Sequence, residues 1–238
     1  MSLVPPRAIV TGASRGIGQA IVTELVKHGI PVGLVARDER ALGEQVEQIR
    51  AQGGEAYAYA LDLTQTERLA QRWQDVLADF GPCSILINNA GMAFTASLAA
   101  TPLSEWNRLM ALNVTAPLLA IQAVLPEMRR HGQGTIINVI SIAGQQTFPH
   151  WGAYCASKFA LLALTRTLAQ EEQSFGIRVT ALCPGAVATP LWDSVDGDFD
   201  RAKMLSPSTV AAMVMQAILL PPEAVMAELV VMPAAGTL

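Results

Sequence analysis

Arg7-Ala8-Ile9-Val10-Thr11 leads straight into Gly12-Ala13-Ser14-Arg15-Gly16-Ile17-Gly18, and the reading of this stretch decides the fold. A short run of strand-forming residues meets three glycines, and a helical pattern then opens over 16–28. Glycines there permit a tight turn and let backbone N–H groups approach a pyrophosphate at a helix N-terminus. Glycine-rich turns are common. The trio gains weight only from its place between a strand and a helix. Its spacing is G-x-x-x-G-x-G, not the G-x-G-x-x-G of most dinucleotide-binding domains.

The same alternation continues along the chain. Strands are expected at 7–11, 32–36, 56–61, 84–88, 135–139, 178–182 and 229–232, and helices at 16–28, 39–52, 66–80, 102–130, 152–175 and 208–220. Gly29, Gly53, Gly81, Gly132 and Gly176 stand where helices should end. Strand–helix alternation implies right-handed crossovers, hence a Rossmann-type, doubly wound parallel α/β sheet flanked by helices on both faces. A prior of ~150 residues per domain leaves room for two domains, but no linker, repeat or charge run interrupts the chain, and one domain over 1–238 is expected. Hydrophobic residues make up 51% and charged residues 15%, as strands buried on both faces require.

A net charge of −4 and the absence of a dense basic patch argue against nucleic acid as a partner. Arg129, Arg130 and His131 are the one compact basic cluster and read as a solvated helix end. The N-terminal segment reads as too short and irregular for a signal peptide. The longest apolar stretch, 210–220, falls short of the ~20 residues of a membrane span. Cys83, Cys155 and Cys183 show neither metal nor disulfide spacing, so no metal site is expected and a reducing cytoplasm fits.

In a doubly wound sheet, ligands bind beyond the carboxyl ends of the strands, so the segments just after the strands should carry the function. After the fourth strand comes Asn88-Asn89-Ala90-Gly91, by itself an ordinary turn. After the fifth comes Ser141, and thirteen residues on stands Tyr154, with Lys158 one helical turn further. A lone Tyr-x-x-x-Lys is a common surface pair; its place downstream of the glycine loop and the Asn-Asn-Ala-Gly turn is not. Asn113 falls inside a long helical pattern, where an Asn is usually solvated or bonded back to the chain. After the sixth strand comes Pro184-Gly185-Ala186-Val187-Ala188-Thr189.

Taken together, these segments resemble the single-domain, NADP(H)-preferring branch of the short-chain dehydrogenase/reductase family, from about Arg7 to Thr189 and by topology to the end. The resemblance implies a cytoplasmic carbonyl reductase or alcohol dehydrogenase with a tetrad of Asn113, Ser141, Tyr154 and Lys158. NADP(H) would lie along Gly12, Ser14, Arg15, Gly16, Ile17, Gly18, Arg37, Asp62, Leu63, Asn89, Ala90, Gly91, Tyr154, Lys158, Pro184, Gly185, Val187 and Thr189. Tyr154 would be the acid at the carbonyl oxygen, its pKa lowered by the Lys158 ammonium. Ser141 would steady the developing charge, Asn113 would anchor a relay water, and hydride would leave the nicotinamide's B face. In NAD-selecting members an aspartate ends the second strand; here that place is Ala36. Arg37 and Arg15 instead offer donors for a 2′-phosphate, and Asp38 is better placed to cap the next helix. The resemblance also implies a homo-oligomer, a tetramer before a dimer, built on the helices at 102–130 and 152–175.

Met92, Phe94, Gln145, Trp151 and Trp192 flank the motif segments and are candidates for the wall around a small-molecule substrate, though each reads equally as packing. Residues 190–205 read as a substrate lid carrying Trp192, Asp193, Asp196, Asp198, Phe199 and Asp200. A 3-oxoacyl carrier-protein reductase of the same branch is the alternative. Against it stand Phe175, where those enzymes carry a basic residue, and the ending Val231-Met232-Pro233-Ala234-Ala235-Gly236-Thr237-Leu238 in place of Val-Asn-Gly-Gly. A non-catalytic NADP(H) sensor is a further alternative, less expected because it would not need Ser141 and Tyr154 together.

Overall fold

The computed structural model describes residues 5–195, 197 and 199–236. Among them seven strands form one sheet in the order β3-β2-β1-β4-β5-β6-β7, every pair parallel. The strands are β1 (Ala8–Thr11), β2 (Val32–Ala36), β3 (Ala56–Ala60), β4 (Ile85–Asn88), β5 (Gly134–Val139), β6 (Ile177–Pro184) and β7 (Glu228–Val231). The helices are α1 (Gly16–Lys27), α2 (Glu39–Ala51), α3 (Thr66–Phe80), α4 (Leu103–Met110), α5 (Ala116–His131), α6 (Gly152–Glu172) and α7 (Pro207–Leu219). Strand order reverses between β1 and β4, so the loops after these two strands flank a cleft at the sheet's carboxyl edge.

Burial explains the composition. Every residue of β1, β2, β4 and β5 is buried, because helices cover both faces. The edge strands β3 and β7 instead alternate, with residues such as Tyr57 and Leu229 half-buried and Glu228 exposed. On one face Ile21, Leu25, Leu42 and Val214 pack against the sheet; on the other, Trp73, Ile121, Val124 and Leu168 do.

Helix ends follow local chemistry. Asp38 accepts a hydrogen bond from the Ala41 N–H at 3.0 Å and so caps α2, and Ser206 does the same for α7 through Thr209 at 3.1 Å. The five glycines expected to end helices all have positive φ, from 65° at Gly132 to 83° at Gly81. The N-terminus of α1, at Arg15, has no side-chain cap and no acid in its first turn. Its N–H groups therefore point into the cleft without a side-chain acceptor.

Three sequence readings are corrected. The helix expected over 102–130 is interrupted: Ala111–Thr115 forms a π turn between α4 and α5. The whole run Leu103–His131 is 29 residues and apolar enough to span a membrane, which the reading of 210–220 as the longest apolar stretch overlooked. Ala120, Ile121, Val124 and Met128 bury its inner face against the sheet and α3, as a core helix does. The basic cluster at its end is not merely solvated. Arg129 forms an ion pair with the fully buried Glu172 of α6 and lies 4.8 Å from the Phe175 ring, while Arg130 and His131 pair with Glu127.

Candidate active site

A cleft of about 1000 Å³ opens at the strand carboxyl ends, between the glycine loop and the segment that follows β6. At one end the glycine loop is locked to the turn after β4. Thr11 Oγ1 accepts from the N–H groups of Asn89 and Ala90, both at 3.0 Å, and Asn89 Nδ2 donates to the carbonyls of Thr11 and Gly12 at 2.9 and 3.2 Å. Gly12 sits at φ +66° with its backbone against Ala90, where an added Cβ would lie 2.9 Å from the Ala90 Cα. Gly16 faces Thr189, its notional Cβ 3.3 Å from the Thr189 methyl. The loop is thus shaped by close approach on two sides, and an uncapped helix start lies behind it. A pyrophosphate fits such a cradle.

The described residues bring nearly all the expected cofactor positions to this cleft. Ser14, Arg15, Gly16, Ile17, Arg37, Asp62, Leu63, Asn89, Ala90, Gly91, Pro184, Gly185, Val187 and Thr189 line it with Gly12. Gly18 is buried behind the loop rather than exposed to it. Arg15 and Arg37 are exposed at the rim, and among the described residues neither lies within salt-bridge distance of an acid. Asp62 spends one oxygen on Thr64, from its N–H at 3.0 Å and its hydroxyl at 2.7 Å. Although burial opposes it, these bonds, with help from Arg37, hold its carboxyl below the usual range.

Ser141, Tyr154 and Lys158 stand together at the other end of the cleft. Ser141 caps a short 3-10 turn by accepting from the Ala143 N–H at 3.1 Å, and its hydroxyl neighbours the Tyr154 phenol. Lys158 is buried, donates to the Val139 carbonyl at 3.1 Å, and places its Nζ 5.7 Å from the Tyr154 ring centre. Burial pushes Tyr154 up to about 12 and Lys158 down to about 8, because each charged form loses hydration. The neighbouring Ser141 hydroxyl pulls the phenol down, and burial outweighs it.

Asn113 lies behind this group, fully buried in the π turn. Its amide is spent on structure: Oδ1 accepts from the Met92 N–H at 3.0 Å, and Nδ2 donates to the Met92 carbonyl and to Ser157 Oγ, each at 3.0 Å. The side chain is therefore a brace between Met92 and α6. It holds the Gly91–Met92 turn beside Lys158, whose Nζ would lie 3.5 Å from a Cβ at Gly91. Ser157 was not singled out in the sequence. It is fully buried and donates to the Tyr154 carbonyl at 2.7 Å, tying Asn113 to α6. One serine among small residues on α6 carries no signal of that role.

Among the substrate-wall candidates, Met92, Phe94, Trp151 and Trp192 line the cleft. Gln145 does not; it donates to Glu228 at 3.2 Å across the outer side of the sheet. Phe148 and Leu191, not foreseen, complete the wall. The segment expected as a lid holds two short turns, Pro190–Ser194 and Arg201–Lys203. Its ends are drawn together by a bridge of Val187 with Leu205, through Leu205 N–H to Ala186 at 2.9 Å and Ala188 N–H to Leu205 at 2.9 Å. Asp196 and Asp198 of that segment, and Thr237 and Leu238 at the chain end, lie outside the described residues. Among the described residues no cluster of three or more His, Cys, Asp or Glu is placed to hold a metal ion.

The family described as short chain dehydrogenase matches residues 6–198. The chain is similar to a D-beta-hydroxybutyrate dehydrogenase of Rhizobium meliloti, 33% identical over 87% of this chain and 81% of that one. It is also similar to a 3-oxoacyl-acyl-carrier-protein reductase of Staphylococcus epidermidis, 33% identical over 80% and 79%. Among solved structures, an alcohol dehydrogenase from Thermococcus sibiricus complexed with 5-hydroxy-NADP superposes with a TM-score of 0.89 at 28% identity, covering 97% of each chain. A metagenomic short-chain oxidoreductase in complex with NADP superposes with a TM-score of 0.85 at 34% identity, covering 98% of this chain and 99% of the other.

Proposed function

The chain belongs to the short-chain dehydrogenase family, and on that footing we propose that it is an NADPH-dependent reductase interconverting ketones or aldehydes with the corresponding alcohols. The observation that carries this reading is the joining of two half-sites by one cleft, a glycine cradle at an uncapped helix start and the Ser141–Tyr154–Lys158 group. Bound NADPH would supply the hydride, and the net reaction takes up one proton as the carbonyl becomes a carbinol. The glycine loop would hold the pyrophosphate through its N–H groups. Tyr154 would hand its phenolic proton to the carbonyl oxygen. Ser141 would bond that oxygen and stabilise the charge gathering on it. Lys158 would hold the ribose and favour the transient phenolate. Asn113 acts as a positioning residue through Met92 and Ser157. One domain over 1–238 carries both half-sites, and the 190–205 segment closes over the substrate.

NADP selectivity is assigned to Arg37 and Arg15. Both are exposed at the cleft rim with no acid within salt-bridge distance among the described residues, and two of the similar structures hold NADP or a derivative of it. Asp38, the nearest acid to the strand end, is engaged as the cap of α2. A charge-assisted hydrogen bond is worth enough that Arg37→Ala should lower kcat/KM for NADPH by about ten- to a hundredfold and leave NADH within about threefold. Initial rates with both cofactors read this; an unchanged NADPH/NADH ratio places the selecting position elsewhere.

The assembly is proposed as a homotetramer. Leu103, Trp106, Leu118 and Phe159 of α4, α5 and α6 expose large apolar side chains that a partner copy would cover. Three free, buried cysteines suit a reducing cytoplasm. The reading as a whole is tested by following NADPH oxidation at 340 nm against ketones, diketones and 3-oxoacyl thioesters. Oxidation that depends on the added carbonyl supports it; NADPH bound but never oxidised favours a sensor.

A further inference from the structure

The half of the cleft beyond Ser141 and Tyr154 is built unlike the rest. Phe94, Phe148, Trp151, Leu191, Trp192 and Phe199 gather there with buried Tyr154 and Val195 in an apolar cluster separate from the two cores that cover the sheet. All but Val195 line the cleft. The rings form a chain of contacts. Trp151 meets Tyr154 at 5.5 Å and 66°, Trp151 meets Trp192 at 5.9 Å and 64°, and Trp192 meets Phe199 at 4.6 Å and 50°. Trp192 donates its one N–H to the Val187 carbonyl at 2.9 Å, so that polar atom is already satisfied by the protein.

Charge in the cleft points the same way. Its basic residues among those described are Arg15, Arg37, Arg108 and Lys158. Arg15 and Arg37 stand at the cofactor end, Arg108 is paired with Glu105 at 3.1 Å, and Lys158 is bonded to Val139. The charged group on the aromatic wall is an acid, Asp193, paired with Arg201. Among the described charged residues of the 190–205 segment, Asp200 is likewise paired with Lys203. A carboxylate seated here would lose its hydration and find no unpaired cation among the described residues of the wall. An aromatic ring would find edges and faces of other rings at the angles such pairs prefer.

We propose that the substrate is an uncharged ketone bearing an aromatic ring, with the ring packed against Trp151, Trp192 and Phe148. The inference rests on the reductase reading and specifies its substrate class. Two matched pairs test it. Ethyl benzoylformate and benzoylformate share ring and ketone and differ in charge; kcat/KM should favour the ester by about 100-fold. 1-Phenyl-1,2-propanedione and 2,3-butanedione share the dicarbonyl and differ in the ring; the phenyl compound should win by about tenfold. Trp192→Ala should erase most of the second preference by lowering kcat/KM for the phenyl compound several-fold more than for 2,3-butanedione, whereas a general loss of structure would lower both alike and keep the ratio. An acid turned over within fivefold of its ester, no preference for the phenyl diketone, or a 3-oxoacyl thioester preferred to both aryl ketones would overturn the proposal. If no carbonyl is reduced although NADPH binds, the reductase reading fails, and binding still decides the inference. Quenching of tryptophan fluorescence should then show the ester binding about thirtyfold more tightly than the acid, and equal binding would refute the proposal.

Discussion

Tyr154→Phe is expected to lower kcat for carbonyl reduction by about 1000-fold or more, with the NADPH dissociation constant within about threefold of wild type. The substitution removes one oxygen from a ring that is 8% exposed and packed edge-on against Trp151, so the packing survives. What is lost is the proton donor. With its pKa pushed up to about 12, Tyr154 carries its proton throughout the neutral range, which is the state needed for reduction. Lys158, pushed down to about 8, loses its charge above that pH and with it the support for a transient phenolate. Reduction should therefore hold steady from about pH 6 to 8 and fall above 8, whereas alcohol oxidation, which needs the phenol to give up its proton first, should rise with pH. Turnover within tenfold of wild type in the Phe variant would remove Tyr154 from the chemistry.

Gly18→Ala should abolish NADPH binding, by about 100-fold or more, and lower stability by about 1–3 kcal/mol. The new Cβ would stand 2.2 Å from the Gly12 carbonyl oxygen and 2.6 Å from Asn89 Nδ2. Neither can withdraw. Gly12 is wedged at φ +66° against Ala90, and Asn89 is held by its two bonds to the Thr11 and Gly12 carbonyls. Relief requires opening the loop that would cradle the pyrophosphate. Gly43→Ala is the control. It lies within α2 with no atom within 4 Å of the added Cβ, and it should stabilise the protein by about 0.5–1 kcal/mol. Isothermal titration with NADPH and thermal melts read both variants; near-normal NADPH affinity in Gly18→Ala would show that the loop does not hold the cofactor.

What could be read from the sequence depended on whether a feature was local. The glycine loop, the Asp38 cap and the helix-ending glycines are set by a few adjacent residues, and their readings match the structure. So do the fully buried strands, because a run such as Val32–Ala36 fits a sheet that helices cover on both faces. The π turn at Ala111–Thr115 was hidden. Asn113 bonds Met92, twenty-one residues away, and Ser157, forty-four away, and no short window holds all three. Gln145 misled for the same reason, since its partner Glu228 is eighty-three residues on. Arg129 read as a solvated cation because its buried partner Glu172 lies on another helix. The places of Ser141, Tyr154 and Lys158 after the fifth strand were legible as an ordered pattern, but the burial of Tyr154 and Lys158 was not.

The claim at the centre of this account is that the cleft passes a hydride from a nicotinamide to a carbonyl carbon. The measurement that meets it most directly uses NADPH carrying deuterium at the pro-S position of C4, with ethyl benzoylformate and this protein, and mass spectrometry of the alcohol and of the oxidised cofactor. The account predicts one deuterium on the new carbinol carbon and none left in NADP+. Deuterium retained in NADP+ would put the transfer on the opposite face, and an alcohol formed without label from either C4 position would contradict hydride transfer altogether.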